Sequence, residues 1–579
     1  MPKIKINDIE LEVDNNSTIL QAASKLNIEI PTLCHLDLEC FHVDHKTGSC
    51  RVCLVDVEMQ GRTKMMPACC TPVSEGMNIK TNTPEVITTR RTILELLLSD
   101  HPFECLTCAK SLDCELQALA KKFCIHDITY SGAKSEYPLD ISGKAIRRDL
   151  NKCIMCRRCE TACNVIQTVG VLTGYGRGFE AVVAPAEMKP LAETECVFCG
   201  QCVNVCPTAA LTEINYIEEV WRAINDPNKF VVVQTAPAVR AGIGQEFGMP
   251  ADKVATGQMV AGLKRLGFDK VFDTDFSADL TIMEEGTEII QRVKENKNLP
   301  ILTSCCPGWI NFLEYQFPEF VGIPSTAKSP QQMFGSIAKS YFAEKAGIDP
   351  KNMIVVSVMP CLAKKYEAGR PEFERNGIRD VDYVLSTREL AKMFKEAGID
   401  ISKLNKEDFD NPLGESTGAA VIFGVSGGVL EAALRSCYEL ITKKELKNID
   451  FKAVRGLEGI KEATVDIDGL KLNVAVTSGL GNARKILEKV RSGEAKYHAI
   501  EIMACPGGCI NGGGQPYIHG DTHILEERMK ALYTEDEQKV IRKSHENPYI
   551  KKLYEEYLGE PCGKKSHELL HTHYHKKTV

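Results

Sequence analysis

Three stretches decide the fold: TSCCPGW at 303–309, MPCLAKKYE at 359–367 and EIMACPGGCINGGGQP at 501–516. Each follows a short run that reads as a buried parallel strand, namely Ile301-Leu302, Ile354-Val355-Val356 and Ile500-Glu501-Ile502, and then breaks into Pro, Gly and Cys. Their cysteines are predicted to gather at strand ends, where an open α/β sheet holds a ligand or cofactor. Four thiolates drawn from three distant loops suit one iron–sulfur cluster enclosed within a domain, unlike the compact spacing of a ferredoxin.

Composition sets the outer limits. A chain of 579 residues exceeds what one core usually supports, so a multidomain α+β and α/β protein is expected. A formal charge of −8 and a pI near 6.0 argue against a nucleic-acid surface. The opening MPKIKINDIELEV alternates as a strand pair around Asn7-Asp8 and lacks the apolar core of a secretory signal. No apolar run reaches the roughly 18 residues of a membrane span. The spacing of the 25 cysteines is that of metal ligands, which predicts a soluble protein of a reducing, anaerobic cytoplasm.

The remaining ligand-spaced cysteines lie upstream, in three modules. Residues 1–80 begin with two strands and a helix that Ser17 could cap, with Ile19, Leu20 and Ala23 on its apolar face. Cys34, Cys50, Cys53 and Cys69 follow, and the module resembles a plant-type [2Fe–2S] ferredoxin of β-grasp fold, with a wider gap between the first two ligands. That resemblance makes Cys70 spare, and Cys40 is read as a bystander. Residues 81–133 carry an apolar helix from Thr88 to Leu98 and then His101, Cys105, Cys108 and Cys114. This resembles the [4Fe–4S] site with one histidine and three cysteine ligands in the large iron–sulfur subunit of respiratory NADH dehydrogenases. A lone histidine is usually structural, but the offset of His101 from three cysteines and the following Pro102 favour a ligand. Residues 134–215 hold Cys153, Cys156, Cys159 and Cys163, then Cys196, Cys199, Cys202 and Cys206. This is the bacterial two-cluster ferredoxin spacing, in which the fourth cysteine of each run crosses to the other cluster. Asn164 stands where proline is usual.

The three loops in residues 216–579 resemble the signature loops of the [FeFe]-hydrogenases. That family holds an H-cluster, a [4Fe–4S] cubane joined through one cysteine to a di-iron site with CO, cyanide and a bridging dithiolate. The resemblance makes Cys306, Cys361, Cys505 and Cys509 the cubane ligands, with Cys509 shared. It implies reversible H2 = 2H+ + 2e−, with Cys305 exchanging protons with the dithiolate amine and relaying them through water to Glu285, Ser325, Glu288 and Arg292. Glu288 and Arg292 would otherwise read as an i, i+4 pair on a solvated helix face. Lys364 and the backbone around Ala236-Pro237 match donors to the two cyanides, although Lys364 could also pair with Glu367. Met359, Met503, Gln331 and Phe423 match residues that shape the pocket. At Ala238 some relatives carry serine. Cys40, Cys70, Cys124, Cys437 and Cys562 are left as idle thiols.

Partnership is read from weaker features. RRTILELLLSDHP, CIMCRRCETAC, QTAPAVRA and the tail KSHELLHTHYHKK resemble the catalytic subunits of multimeric NAD(P)-linked, electron-bifurcating hydrogenases. GVSGGV at 424–429 is a weak glycine pattern and the family places it beside the H-cluster, so a flavin or nicotinamide is expected on a partner chain. The alternative is a stand-alone ferredoxin-dependent enzyme. A hydrogen sensor or an assembly factor would not need Cys305, Lys364 and Glu285, and a pure electron-transfer subunit would lack the three C-terminal loops. Maturation proteins are implied partners. The tail's Cys562, His567, His571, His573 and His575 are read as a solvated terminus in preference to a metal site.

Overall fold

A computed structural model describes residues 1–38 and 48–578. Cys40 lies outside them. The first module is a five-stranded sheet in the order Ile9–Glu12, Lys3–Ile6, Asn78–Lys80, Leu54–Met59, Arg62–Pro67, with only the Lys3–Ile6 and Asn78–Lys80 pair parallel. Asn7 and Asp8 take the positive φ values, 50° and 71°, that a two-residue hairpin turn requires. The helix Ile19–Lys25 is capped by Thr18 and not by Ser17. Gln21 stands three residues beyond Thr18, so the two close a reciprocal capping box, with Gln21 N–H to Thr18 Oγ1 at 3.2 Å and Thr18 N–H to Gln21 Oε1 at 2.8 Å. Ile19 and Ala23 are buried as expected, Leu20 packs half-buried against the same core, and Ala22 joins them.

The next helix spans Pro84–Asp100, longer than the apolar run alone predicts, because Thr83 caps it and Pro84 fits its first turn. Its end delivers His101, whose N–H closes onto the Leu98 carbonyl at 3.0 Å. In the third module Ile146–Arg148 pairs antiparallel with Leu211–Glu213, joining the two ends of the cysteine-rich segment.

Two four-stranded sheets build the catalytic half. One is wholly parallel, in the order Lys270–Asp273, Phe230–Thr235, Met353–Met359, Tyr383–Ser386. The other runs Ile301–Leu302, Ala499–Met503, Leu470–Ser478, Ile460–Ile467, with only the last pair antiparallel. The three decisive runs are thus parallel strands as expected, and each signature loop leaves a strand's carboxyl end. Val231, Val233, Val355 and Val356 are fully or almost fully buried, as strands covered on both faces require.

The C-terminal tail is not a solvated terminus. Lys564–Leu570 is a helix with Leu569 and Leu570 buried, His571 bridges to Ala327, and the Thr572 N–H donates to the Thr326 carbonyl at 2.7 Å. Burying two leucines outweighs the charge of KSHELLHTHYHKK, at about 1.5–3 kcal/mol for each fully buried side chain. No helix among the described residues is long and apolar enough to cross a membrane.

Candidate active site

The carboxyl ends of both sheets face one cavity with about 650 Å³ of atom-free space. Cys305, Cys306, Cys361 and Cys509 line it, with Ala236, Pro237, Gln331, Met359, Lys364, Phe423 and Met503. Of the four expected cubane cysteines only Cys505 does not line it, and it lies close behind, beside Cys361, Cys306 and Cys509. Thr274, Ala278, Pro330 and Pro360 line it too and carry no sequence signal.

Burial raises the Cys306, Cys361, Cys505 and Cys509 thiols, taking Cys361 to about 12. After burial, the charges of Cys361, Cys306 and Cys509 act on Cys505, so the four converge on one centre. Thiolates so buried require compensating metal charge, and this donor set fits a cubane. Glycine is obligatory around them. Gly508 has φ 103°, and a Cβ there would meet the Ser426 nitrogen at 2.6 Å; at Gly512 it would meet the Pro360 oxygen at 2.1 Å.

Lys364 lines the cavity and makes the expected pair with Glu367. Its Nζ donates to the Cys305 carbonyl at 2.9 Å and pairs with Glu367 at 3.0 Å. Burial works against its charge, yet Glu367 holds it above the ordinary lysine range. The Ala236 N–H is spent on the Val358 carbonyl at 3.0 Å and Pro237 has none, which leaves the N–H of Ala238, in the first turn of the helix Pro237–Gly242, as the next backbone donor along this stretch.

The relay residues follow in space, with gaps. Glu285 is buried and its carboxylate has no hydrogen-bond partner among the described residues. Burial, then the charges of Glu288 and Glu501, push it up to about 8. Ser325 Oγ donates to Glu288 at 2.7 Å, and Glu288 pairs with Arg292 at 2.5 Å. Both Glu288 and Arg292 have side chains only about a tenth exposed, which sets aside the solvated-face reading. The Cys305 thiol is raised well above its ordinary value by burial and then by the charge of Glu285. GVSGGV cradles no phosphate: the Gly427 and Leu430 N–H groups both donate to the buried Glu501 carboxylate, at 2.6 and 2.8 Å.

The accessory ligands also group. Cys163, Cys196, Cys199 and Cys202 line one cavity, and Cys206 acts electrostatically on Cys156 and Cys159, the grouping that crossed ligation needs. This four-cysteine site touches the active-site loop. A Cβ on Gly513 would lie 2.7 Å from the Gly200 Cα, and Gln201 Nε2 donates to the Asn511 carbonyl at 2.9 Å. In the first module Cys53 and Cys69 lie 3.3 Å apart, and Cys34 is lowered by contact with Cys50 and Cys69; Cys70 is exposed. His101 is pushed down to about 4 by burial and then by Lys152, which keeps the imidazole neutral, as a ligand must be. Cys108 and Cys114 are half-buried and Cys105 is exposed.

One residue without a sequence signal ties these modules. Arg158, buried between Cys156 and Cys159, donates to the His35 carbonyl at 2.9 Å and grips the Glu115 carboxylate at 2.6 and 2.8 Å. His35 follows Cys34 and Glu115 follows Cys114, so a single guanidinium adjoins ligands of three modules. Cys437 is buried against the Gly286 carbonyl, and Cys124 is exposed. Cys562 is not idle, since its N–H and Sγ both contact Glu284.

Comparison with known proteins agrees with this geometry. The model of the iron-only hydrogenase large subunit, C-terminal domain, matches residues 229–513, and that of the iron hydrogenase small subunit matches 522–577. A 2Fe-2S iron-sulfur cluster binding domain matches 2–84, an NADH-ubiquinone oxidoreductase-G iron-sulfur binding region 90–129, and a 4Fe-4S dicluster domain 152–210. The chain is 58% identical to the NADP-reducing hydrogenase subunit HndD of Solidesulfovibrio fructosivorans, over 100% of this chain and 99% of that one. It is 41% identical to iron hydrogenase 1 of Clostridium pasteurianum over the whole of both. A variant of apo [FeFe]-hydrogenase HydA1 from Chlamydomonas reinhardtii superposes with a TM-score of 0.57 at 45% identity, covering 63% of this chain and 100% of that one. With the cysteine cavity and end-to-end identity in agreement, the chain belongs to the iron-only, or [FeFe], hydrogenases and is an oxidoreductase acting on hydrogen.

Proposed function

We propose that this hydrogenase is the catalytic subunit of an NAD(P)-linked, electron-bifurcating complex of the cytoplasm. Its electrons would pass between the active site and a flavin-bearing partner through one [2Fe–2S] and three accessory [4Fe–4S] clusters. The modules are taken as 1–80, 81–133, 134–215 and 216–579. The observation that carries the reading is the Arg158 junction, where the [2Fe–2S] module and the His101 module both meet the ferredoxin module. The two modules pack side by side, Arg90 of the second donating to the Leu54 carbonyl of the first at 2.9 Å, so electrons entering through either would have a route inward. Full-length identity to a subunit of an NADP-reducing hydrogenase supports it.

At the active site, Cys306, Cys361, Cys505 and Cys509 would hold the cubane, and the bound di-iron unit would supply the soft-metal centre at which H2 is split. The chain's own residues do the rest. Lys364 and the Ala238 N–H present donors to charged cofactor ligands, while Met359, Met503 and Phe423 exclude water. Cys305 holds its proton at Sγ because burial disfavours the thiolate, and Glu285, protonated at neutral pH, is the next acceptor once it ionises. Ser325 passes the proton to Glu288, and Arg292 fixes Glu288 near the surface.

The purified matured chain is expected to oxidise H2 with an artificial dye and to leave NAD+ and NADP+ unreduced until a flavoprotein subunit is added. Direct nicotinamide reduction by the single chain contradicts the reading. Rapid turnover with ferredoxin alone, with no co-purifying subunit, favours the stand-alone enzyme.

A further inference from the structure

The tail brings a second set of metal donors together, none of them among the expected iron ligands. Glu284 is fully buried on the helix Thr274–Glu295, His571 ends the tail helix, and Cys562 lies just before that helix. A carboxylate oxygen, an imidazole nitrogen and the thiol of these three all lie within 4.8 Å of one another. We propose that Glu284, Cys562 and His571 form a structural site for a divalent cation of the zinc class, with His567 beside the fourth position.

Four observations carry this. Cys562 is held at φ 57°, a left-handed conformation uncommon for a residue with a Cβ, and that conformation aims its thiol at Glu284. The thiol makes only a weak contact there, 3.4 Å to the Glu284 carbonyl, so hydrogen bonding alone does not explain its placement. His567 precedes His571 by four residues on one helix face, and their rings lie 4.1 Å apart, the spacing with which helices present paired imidazoles to a metal. The outer shell is also built: Thr326 Oγ1 sits 2.7 Å from His571 Nδ1, leaving Nε2 to face Glu284 at 3.0 Å, and the Tyr554 hydroxyl donates to the Glu284 carboxylate.

One thiolate, imidazole and one carboxylate are borderline donors, which select zinc over calcium or magnesium. On binding, the Cys562 thiol releases its proton to solvent as the S–metal bond forms, and the His571 proton shared between Nε2 and Glu284 gives way to the metal, the neutral ring then carrying its proton on Nδ1 towards Thr326 Oγ1. The cation would lock the tail to Thr326, the neighbour of Ser325, and so brace one wall of the proton relay.

The test uses the matured full-length protein, equilibrated with zinc and desalted. About one zinc per chain is expected, with an absorption-edge spectrum showing one sulfur at roughly 2.3 Å among nitrogen and oxygen ligands. Cys562→Ser and His571→Ala should each lose the zinc while iron content stays unchanged, whereas His573→Ala and His575→Ala keep it. Zinc retained by Cys562→Ser, no zinc bound, or a spectrum with sulfur ligands only would overturn the proposal. Should the variants fold poorly, the wild-type spectrum decides alone.

Discussion

Cys305 and its neighbour Cys306 show how far one residue step separates a ligand from an acid–base group. Both are buried thiols, yet only Cys305 feels Glu285 as its foremost charged neighbour. Cys305→Ala is expected to leave the CO and cyanide infrared bands in place while turnover falls by roughly 10²-fold or more, the scale of a lost general acid–base group. Cys305→Asp should restore part of it. Loss of the bands in the alanine variant would make Cys305 a ligand instead. Glu285 gives a pH prediction of definite sign. Its folded carboxyl keeps its proton up to about 8 against an ordinary 4.5, so its contribution to stability is complete below 4.5 and declines as pH rises towards 8. Glu285→Gln should flatten that part of a melting-temperature profile against pH and abolish most turnover; an unchanged profile would mean that Glu285 is not buried in solution. The cysteines are legible in the sequence because thiols repeated at such short, regular gaps serve little purpose besides holding metal. The Ala238 donor and the Glu284–Cys562–His571 set are not, since they depend on which backbone groups are already paired and on contacts between residues almost three hundred positions apart.

At the scale of elements, glycine and arginine decide how the modules meet. Gly513 lies against Gly200 backbone, where nothing flexible can yield, so Gly513→Ala must part the active-site loop from the neighbouring ferredoxin cluster. A displacement of that kind is expected to lower dye-linked H2 oxidation on the order of 10²-fold, with altered electron paramagnetic resonance of the cluster near Cys199; wild-type rates in this variant would argue that electrons bypass that contact. Arg158→Gln leaves the Glu115 carboxylate, whose half-buried oxygens the guanidinium now grips, with only the His519 imidazole 3.5 Å away beside it. The expected cost is about 3 kcal/mol, the lower end for a broken buried pair because Glu115 keeps some solvent. Denaturant unfolding measures it, and a shift below about 0.5 kcal/mol, the scale of an exposed pair, would reduce Arg158 to a surface contact. The strands before each signature loop could be read from their apolar runs. The helix cap at Thr18 was open to error by one residue, because Ser17 and Thr18 both qualify until the partner at Gln21 is counted. The junction at Arg158 has no periodicity or motif to betray it.

The whole molecule is a series of cysteine clusters leading to one cavity, and its modular order is legible because each iron–sulfur module is compact in sequence. Only the catalytic site and the tail draw their residues from distant segments, and the tail is where sequence reasoning failed: composition marked it as solvent-facing while two leucines and a hydrogen-bonded edge bury it. The central claim is that these cysteines and His101 carry five iron–sulfur clusters and one di-iron unit. Iron analysis with infrared spectroscopy, on protein made with and without the family's maturation proteins, tests it most directly. The account predicts about 20 iron atoms per chain with CO and cyanide bands in active matured protein, and about 18 iron atoms, no such bands and no H2 turnover without maturation. Full activity in a host lacking that machinery, or matured protein without the bands, would contradict it.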